Sequence, residues 1–322
     1  MKARQILIAG GDGFLGRLLT THFLARGDRV TILSRQPQPD RRPRLRTVAW
    51  DGETLDRWVA ELDGTNALIN LSGRSVNCRY NSANRRQILE SRLRSTRALA
   101  LALQRCVRPP SVWINSSSAT IYRHALDRPM DEATGEFGDG FSVDVCRQWE
   151  AALREAPTPR TRKVALRSAI VFGSGAGGAF AAFYRLVRLG LGGTMGPGTQ
   201  FVSWIHADDF SRSVEWLMAC EDLDGAVNAA APYPLPNAEF MRELRRAAGL
   251  PFGLPAPAWC LEFGALLLRT ETELLLKSRR VIPGRLIDSG FTFQYESWCS
   301  AARALVTSHA AVAEGRAIEA GS

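Results

Sequence analysis

Gly10, Gly13 and Gly16 stand at GxxGxxG spacing in "GGDGFLG", directly after the apolar run "QILIAG". At the first position glycine permits a tight turn. At the second it lets the backbone approach a pyrophosphate, and at the third it lets helix and strand pack closely. The N–H groups of Phe14 and Leu15 would then point at phosphates from a helix N-terminus. A preceding strand and a following helix separate this motif from a chance glycine-rich turn. The next strand, "RVTILSR", ends in Ser34 and Arg35, where an NAD-binding unit carries a carboxylate for the ribose 2′-hydroxyl. A carboxylate repels a 2′-phosphate, whereas arginine can grip one with two hydrogen bonds. These residues favour NADP(H) over NAD(H); the alternative is an ordinary surface arginine at 35. Asp51, ending "VAWD", is expected near the adenine. Leu71, Ser72 and Gly73 of "NLSG" end a further strand, where backbone can line the cofactor, and Arg92 on the helix that follows can reach it.

Such residues need a particular scaffold. "QILIAG" reads as a buried parallel strand, and "FLGRLLTTHFLARG" (14–27) as a helix stopped by a glycine. Strand, helix and strand over about thirty residues make a βαβ unit. The alternation continues with strands at 45–51, 66–73, 111–118 and 163–173 and helices at 83–106 and 143–155. This predicts an α/β doubly wound parallel sheet. After Gly173, glycine-rich loops flank a helix at 179–189. A short strand and a helix follow within 201–219, then another strand at 225–232. From Pro232 the chain reads as helical and proline-punctuated up to "SGFTFQY", with a buried helix near Leu261–Leu268. The alanine-rich stretch at 308–322 is expected to fray.

The 322 residues carry a net charge of +9. Nearly all the base is arginine, interspersed with Asp and Glu; lysine occurs only at 2, 163 and 277. A solvated arginine-rich surface fits this better than a nucleic-acid groove, and steering of an anionic cofactor or substrate is compatible with it. The six cysteines, at 78, 106, 146, 220, 260 and 299, show no CxxC spacing and no zinc pattern. They read as reduced thiols of a cytoplasmic protein without a metal. The N-terminal residues lack the apolar core of a secretory leader. No stretch approaches the roughly 20 apolar residues of a membrane span.

At this point the motifs carry a resemblance. "GGDGFLG", "LSR", "NLSG" and "NSSSATIY" resemble the extended short-chain dehydrogenase/reductase superfamily. "LRSAIVFG", "GLGGTMGPGTQFVSWIHADD", "GAVNAAAPYPLPNAEF" and "LLLKSRRVIPGRLIDSGFTFQY" are similar to its epimerase-like family with a carboxyl-terminal DUF1731 domain. The resemblance covers about residues 5–305. It implies a Rossmann-like NADP-binding domain at 1–172, to which 201–231 returns. A smaller, mostly helical substrate lobe would comprise 173–200 and 232–305, DUF1731-like at about 250–300, with a tail at 306–322. Relatives are described as oxidoreductases, sugar-nucleotide epimerases or cell-division-associated proteins.

The superfamily uses a Tyr as acid/base, a Lys four residues later that lowers its pKa, and a Ser or Thr at the end of the fifth strand. A phenol near pKa 10 needs such a cation to act near neutrality. Ser116, Ser117 and Ser118 offer the hydroxyl, with Ser118 the best match for catalysis, Ser116 beside the cofactor, and strand-end capping the alternative. If Glu150 anchors "FSVDVCRQWE" as in relatives, Ser142 and Cys146 take the Tyr and Lys positions. No Tyr-x-x-x-Lys occurs in the chain. Tyr184 and Arg188 have similar spacing by coincidence. Tyr122 matches a position that shapes the substrate pocket in relatives, with catalysis the lesser alternative. Cys146 as a thiolate beside Arg147, or Asp144 as a base, competes with simple burial and simple solvation. His206 reads as structural, with Asp208 or Asp209 capping the next helix. Val171 falls where relatives approach the nicotinamide. Two functions remain open: an NADP(H)-dependent oxidoreductase or epimerase-like enzyme acting on a small molecule, or a non-catalytic NADP(H)-binding regulatory protein. Either would be a monomer or homodimer without nucleic-acid or membrane partners.

Overall fold

The computed structural model describes residues 3–37, 42–175, 177–257 and 276–320, with side chains up to 311. In chain order the elements begin with β1 (Gln5–Ala9), α1 (Phe14–Ala25), β2 (Arg29–Ser34), β3 (Leu45–Ala49) and β4 (Ala67–Asn70). Next come α2 (Ser82–Gln104), β5 (Val112–Ser118), α3 (Phe141–Arg154), β6 (Arg162–Ser168) and β7 (Ile170–Phe172). Then follow α4 (Ala179–Arg188), β8 (Phe201–Val202), β9 (Trp204–His206), α5 (Ala207–Ala219) and β10 (Gly225–Ala229). The chain closes with β11 (Leu235–Pro236), α6 (Asn237–Ala247), α7 (Gly284–Asp288) and α8 (Trp298–Ala320).

Seven parallel strands form the main sheet in the order β10-β6-β5-β4-β1-β2-β3. Along β1, Ile6 and Ile8 enter one core while Leu7 and Ala9 enter the other, the two-residue alternation of a strand. With helices on both faces, both sets are apolar. Phe23 of α1 and Phe210 and Leu217 of α5 fill the first core; Leu99 and Leu103 of α2 fill the second. The strand order reverses between β1 and β4, which opens a crevice at their carboxyl ends. In register, Ala9 stands opposite Asn70, and Asn70 opposite Asn115. The glycine loop, the "NLSG" turn and the serine strand therefore emerge side by side.

The sixth strand is shorter than the expected 163–173. It ends at Ser168, and the Ala169 N–H turns to the Ala229 carbonyl at 2.9 Å. Ile170–Phe172 then leaves the sheet and pairs with β9. This departure carries the chain into a second core built on Phe172, Phe180, Phe183, Trp204, Phe240 and Trp298. There the Phe240 and Trp298 rings stack 4.0 Å apart. The stretch expected to fray at 308–322 continues α8 as far as Ala320, as its alanine content favours. The helix expected near Leu261–Leu268 lies outside the described residues. No described helix is long and apolar enough to cross a membrane. The cysteines among the described residues are all free, and no cluster of His, Cys, Asp and Glu there would hold a metal.

Candidate functional site

A cavity of about 460 Å³ opens at the strand-order reversal. Its floor is the glycine loop. Gly10 has φ +76°, and a Cβ there would stand 2.9 Å from the Ser72 backbone. A Cβ on Gly16 would overlap the Gly11 backbone, so the third glycine is what lets α1 sit on β1. Gly13, Phe14, Leu15 and Gly16 all face the cavity at the N-terminus of α1. Phe14 also explains the glycines after β7. Its ring lies where a Cβ on Gly178 would be 2.9 Å away and one on Gly173 3.2 Å away.

One wall is Leu71, Ser72 and Gly73. Asn70 shapes this turn: it accepts from the Ser72 N–H at 3.0 Å and donates to Asn115 at 2.7 Å. The Ser72 hydroxyl oxygen is buried with no hydrogen-bond partner among the described residues. Such an atom costs free energy unless a ligand or water meets it. Arg92 lies beneath Gly73, with its guanidinium 5.0 Å from the Trp149 ring. It donates to the carbonyls of Arg74 and Ile88 at 3.0 and 2.9 Å. Burial lowers its pKa, yet an arginine stays charged. Among the described residues, no Asp or Glu lines this cavity.

The opposite wall brings together Ser116, Ser117, Ser118, Ser142 and Cys146. The Ser118 hydroxyl accepts from the Thr120 N–H at 3.2 Å and from the Thr120 hydroxyl at 3.0 Å. Thr120 Oγ1 lies 3.6 Å from Cys146 Sγ. Burial pushes the Cys146 thiol up, against the Thr120 hydrogen bond and the positive charges of Arg92 and Arg167. Arg147 and Asp144 are exposed, on the other side of α3.

Several candidate residues lie elsewhere. Tyr122 is buried; it donates to Asn228 at 3.0 Å and accepts from Arg167 at 2.8 Å. Burial raises its pKa, outweighing the nearby Arg167. Arg167 forks onto both oxygens of Glu150 at 2.8 and 2.7 Å, and Ser117 donates to Glu150 at 2.6 Å. Burial works against the Arg167 charge, but Glu150 more than restores it, so the pKa is raised. This network pins α3 to the sheet. Val171 packs in the core with Ile205 and Phe210, because β7 has left the sheet. Tyr184 stacks on Phe180 in the lobe. Ser34 is buried and donates to Asp12 of the glycine loop, while Arg35 is exposed. Asp51 is exposed and accepts from the N–H groups of Glu53 and Thr54 at 2.9 and 2.8 Å. Burial is the largest single influence and raises its pKa, but these bonds and that of the Thr54 hydroxyl together leave it below the ordinary value.

The capping expectation at 208 and 209 is overturned. His206 itself caps α5, accepting from the Asp208 N–H at 3.1 Å, and packs 3.9 Å from the Tyr295 ring. Burial lowers its pKa. Asp209 instead accepts from the N–H groups of Gln294 and Tyr295, both at 2.8 Å. Sequence reasoning passed over Thr120, Trp149, Arg74 and Tyr80, all of which line the cavity. A visible signal was present: "GRSVNCRY" places two arginines and a tyrosine directly after a strand's carboxyl end. A larger groove of about 810 Å³ runs between α1, α5 and α8. Its Arg212 and Arg26 are already paired with Asp209 and Glu215, and its walls are helix flanks. The smaller cavity at the strand ends is therefore the better site.

Comparison with known proteins agrees. The NAD dependent epimerase/dehydratase family matches residues 6–230, and DUF1731, a domain of unknown function, matches 256–305. Epimerase family protein SDR39U1 of Bos taurus is 34% identical over 295 residues, covering 90% of this chain and 96% of that protein. The crystal structure of human epimerase family protein SDR39U1 (isoform 2) with NADPH superposes with a TM-score of 0.83 at 32% identity, covering 94% and 98% of the two chains. A nucleoside-diphosphate sugar epimerase from Corynebacterium glutamicum gives a TM-score of 0.75 at 27% identity, covering 99% of this chain and 62% of that one. By sequence along most of its length, this chain belongs to the NAD dependent epimerase/dehydratase family and ends in a DUF1731 domain.

Proposed function

We propose that the cavity at the β1–β4 reversal binds NADPH and that the protein is an oxidoreductase or epimerase-like enzyme acting on a small molecule. The glycine cradle beside the unpartnered Ser72 hydroxyl carries this reading, and the human relative crystallised with NADPH supports it. Gly10, Gly13 and Gly16 give the pyrophosphate its approach, the N–H groups of Phe14 and Leu15 meet its charge, and Arg35 takes the 2′-phosphate. NADPH, when bound, supplies a hydride, the difficult part of the chemistry. Leu71, Ser72, Gly73, Arg92 and Ser116 close around the rest of it, and Ser118 faces the substrate oxygen. Ser34, already bonded to Asp12, leaves the choice of phosphate to Arg35.

Fluorescence titration tests this. Arg35→Ala should weaken NADPH by roughly 10- to 100-fold, the worth of a charged hydrogen bond, and NADH hardly at all. Equal weakening of both sinks the assignment. A second reading, a non-catalytic NADPH-binding regulator, is favoured by Ser142 and Cys146 at the Tyr and Lys positions. Turnover decides between them: NADPH absorbance is followed against a panel of carbonyl compounds and nucleotide sugars. Oxidation of NADPH supports the enzyme. No turnover, with a partner protein co-purifying only when NADPH is present, supports the regulator.

A further inference from the structure

We propose that Cys146, Thr120 and Ser118 form a proton relay into the cavity, with Arg92 as its fixed cation, in place of the missing Tyr and Lys. The proposal rests on the NADPH reading above. All four residues line the one cavity, and the unpartnered Ser72 hydroxyl in its wall independently marks it as a place for a ligand.

The hydrogen bonds have a direction. Thr120 Oγ1 gives its hydrogen to Ser118 Oγ at 3.0 Å. Toward Cys146 Sγ, 3.6 Å away, it has only lone pairs left to offer, so the thiol is the donor there. Ser118 Oγ accepts twice from Thr120, and its own hydrogen is free for the cavity. Capping the 3-10 turn at Ala119–Ile121 needs only the bond from the Thr120 N–H. The threonine hydroxyl and the thiol are surplus to that role.

The charges around the thiol suit a reversible acid. Arg92 reaches it from α2 and Arg167 from β6, both favouring the thiolate, while Glu150 on α3 opposes it and burial opposes it most. Arg167 is neutralised by its two bonds to Glu150. Among the described residues Arg92 has only carbonyl partners and the Trp149 face, so its charge is the one left over. In the free protein the thiol stays protonated. When a carbonyl carbon accepts hydride from NADPH, its oxygen becomes negative and takes the Ser118 proton. Ser118 takes the Thr120 proton and Thr120 the Cys146 proton. The C–H and O–H bonds of the alcohol are made, the S–H bond is broken, and the thiolate faces Arg92. After product leaves, a water proton entering at Ser118 restores the chain in reverse.

The test needs no substrate. Positive charge on bound NADP+ should draw a proton from the thiol, whereas neutral nicotinamide in NADPH should not. NADP+ is mixed rapidly, with a pH indicator present, with the full chain in weak buffer above the ordinary thiol pKa of about 8.5, because burial raises this thiol. Wild type should release a fraction of a proton with NADP+ and far less with NADPH. Cys146→Ala should release none, with Cys146→Ser as a second variant should the first misfold. Arg92→Met should shrink the release. Thr120→Val, which keeps shape but removes the bridging hydroxyl, should slow it roughly 10- to 100-fold, within the range of a lost proton-transfer group. Equal release from wild type and Cys146→Ala while both bind NADP+ overturns the relay, as does undiminished speed in Thr120→Val. Failure of wild type to bind either nucleotide overturns the cofactor reading instead.

Discussion

Gly16 has no room for a methyl group, because a Cβ would fall on the Gly11 backbone. Gly16→Ala should push α1 off β1, at a cost of about 1–3 kcal/mol for overpacking, and abolish NADPH binding. A denaturation midpoint and a fluorescence titration check both effects. Residues of this kind were legible in the sequence because their demand is on the backbone: a loop that must hug a phosphate needs glycine at fixed spacing. The place of Arg35 was legible because it directly follows Ser34 at the end of β2, beside that loop. The setting of Thr120 was not, although "NSSSATIY" displays it, because it is a tertiary contact with Cys146, 26 residues further on. The packing of Val171 against Ile205 and Phe210 was equally hidden. Its place depends on which strand it pairs with, and no local pattern states that.

Elements were legible where periodicity set them. The strands and helices of the sheet fall near their expected bounds because alternation and helical spacing are local. The break after Ser168 is not local. "KVALRSAIVF" is apolar enough to continue, but after the last ladder bond, from the Ala169 N–H to the Ala229 carbonyl, the Ile170 N–H turns to the Ser203 carbonyl and the chain pairs with β9. The joint between α5 and the chain before α8 is equally hidden. It depends on Asp209, fully buried on α5 and bonded to two N–H groups of that segment and to Arg212. Asp209→Ala should cost about 3 kcal/mol, since buried amides lose their acceptors. Hydrogen exchange at the Gln294 and Tyr295 amides should accelerate far more than at β1. Equal acceleration everywhere would show that Asp209 supports the whole fold rather than this joint.

At the scale of the molecule, several of the arginines behind the +9 charge are paired with carboxylates, as in Arg94–Glu90, Arg123–Asp127 and Arg246–Glu243. A groove for nucleic acid would need unpaired bases along one face. Duplex DNA should therefore give no mobility shift at physiological salt. One knot of charge has a larger task. Glu215 on α5 meets Arg4 at 2.8 Å and, each at 2.9 Å, His22 of α1 and Arg26 at that helix's end. It ties the start of the chain to the segment that returns to the sheet. Burial alone would raise the Glu215 pKa, but Arg4 and His22 hold it below the ordinary value. A carboxyl whose folded pKa is depressed adds stability above its unfolded pKa, about 4.3. That stability is lost as pH falls through the lower folded value. Glu215→Gln should thus be less stable than wild type near neutrality, and the difference should vanish in acid once Glu215 is protonated in both folded and unfolded chains. Because the site is partly exposed, water and salt screen it, so the gap at neutrality should narrow with added salt. Urea midpoints of the two proteins across the acid range measure this directly. A gap that persists in strong acid would mean that Glu215 acts through its shape rather than its charge.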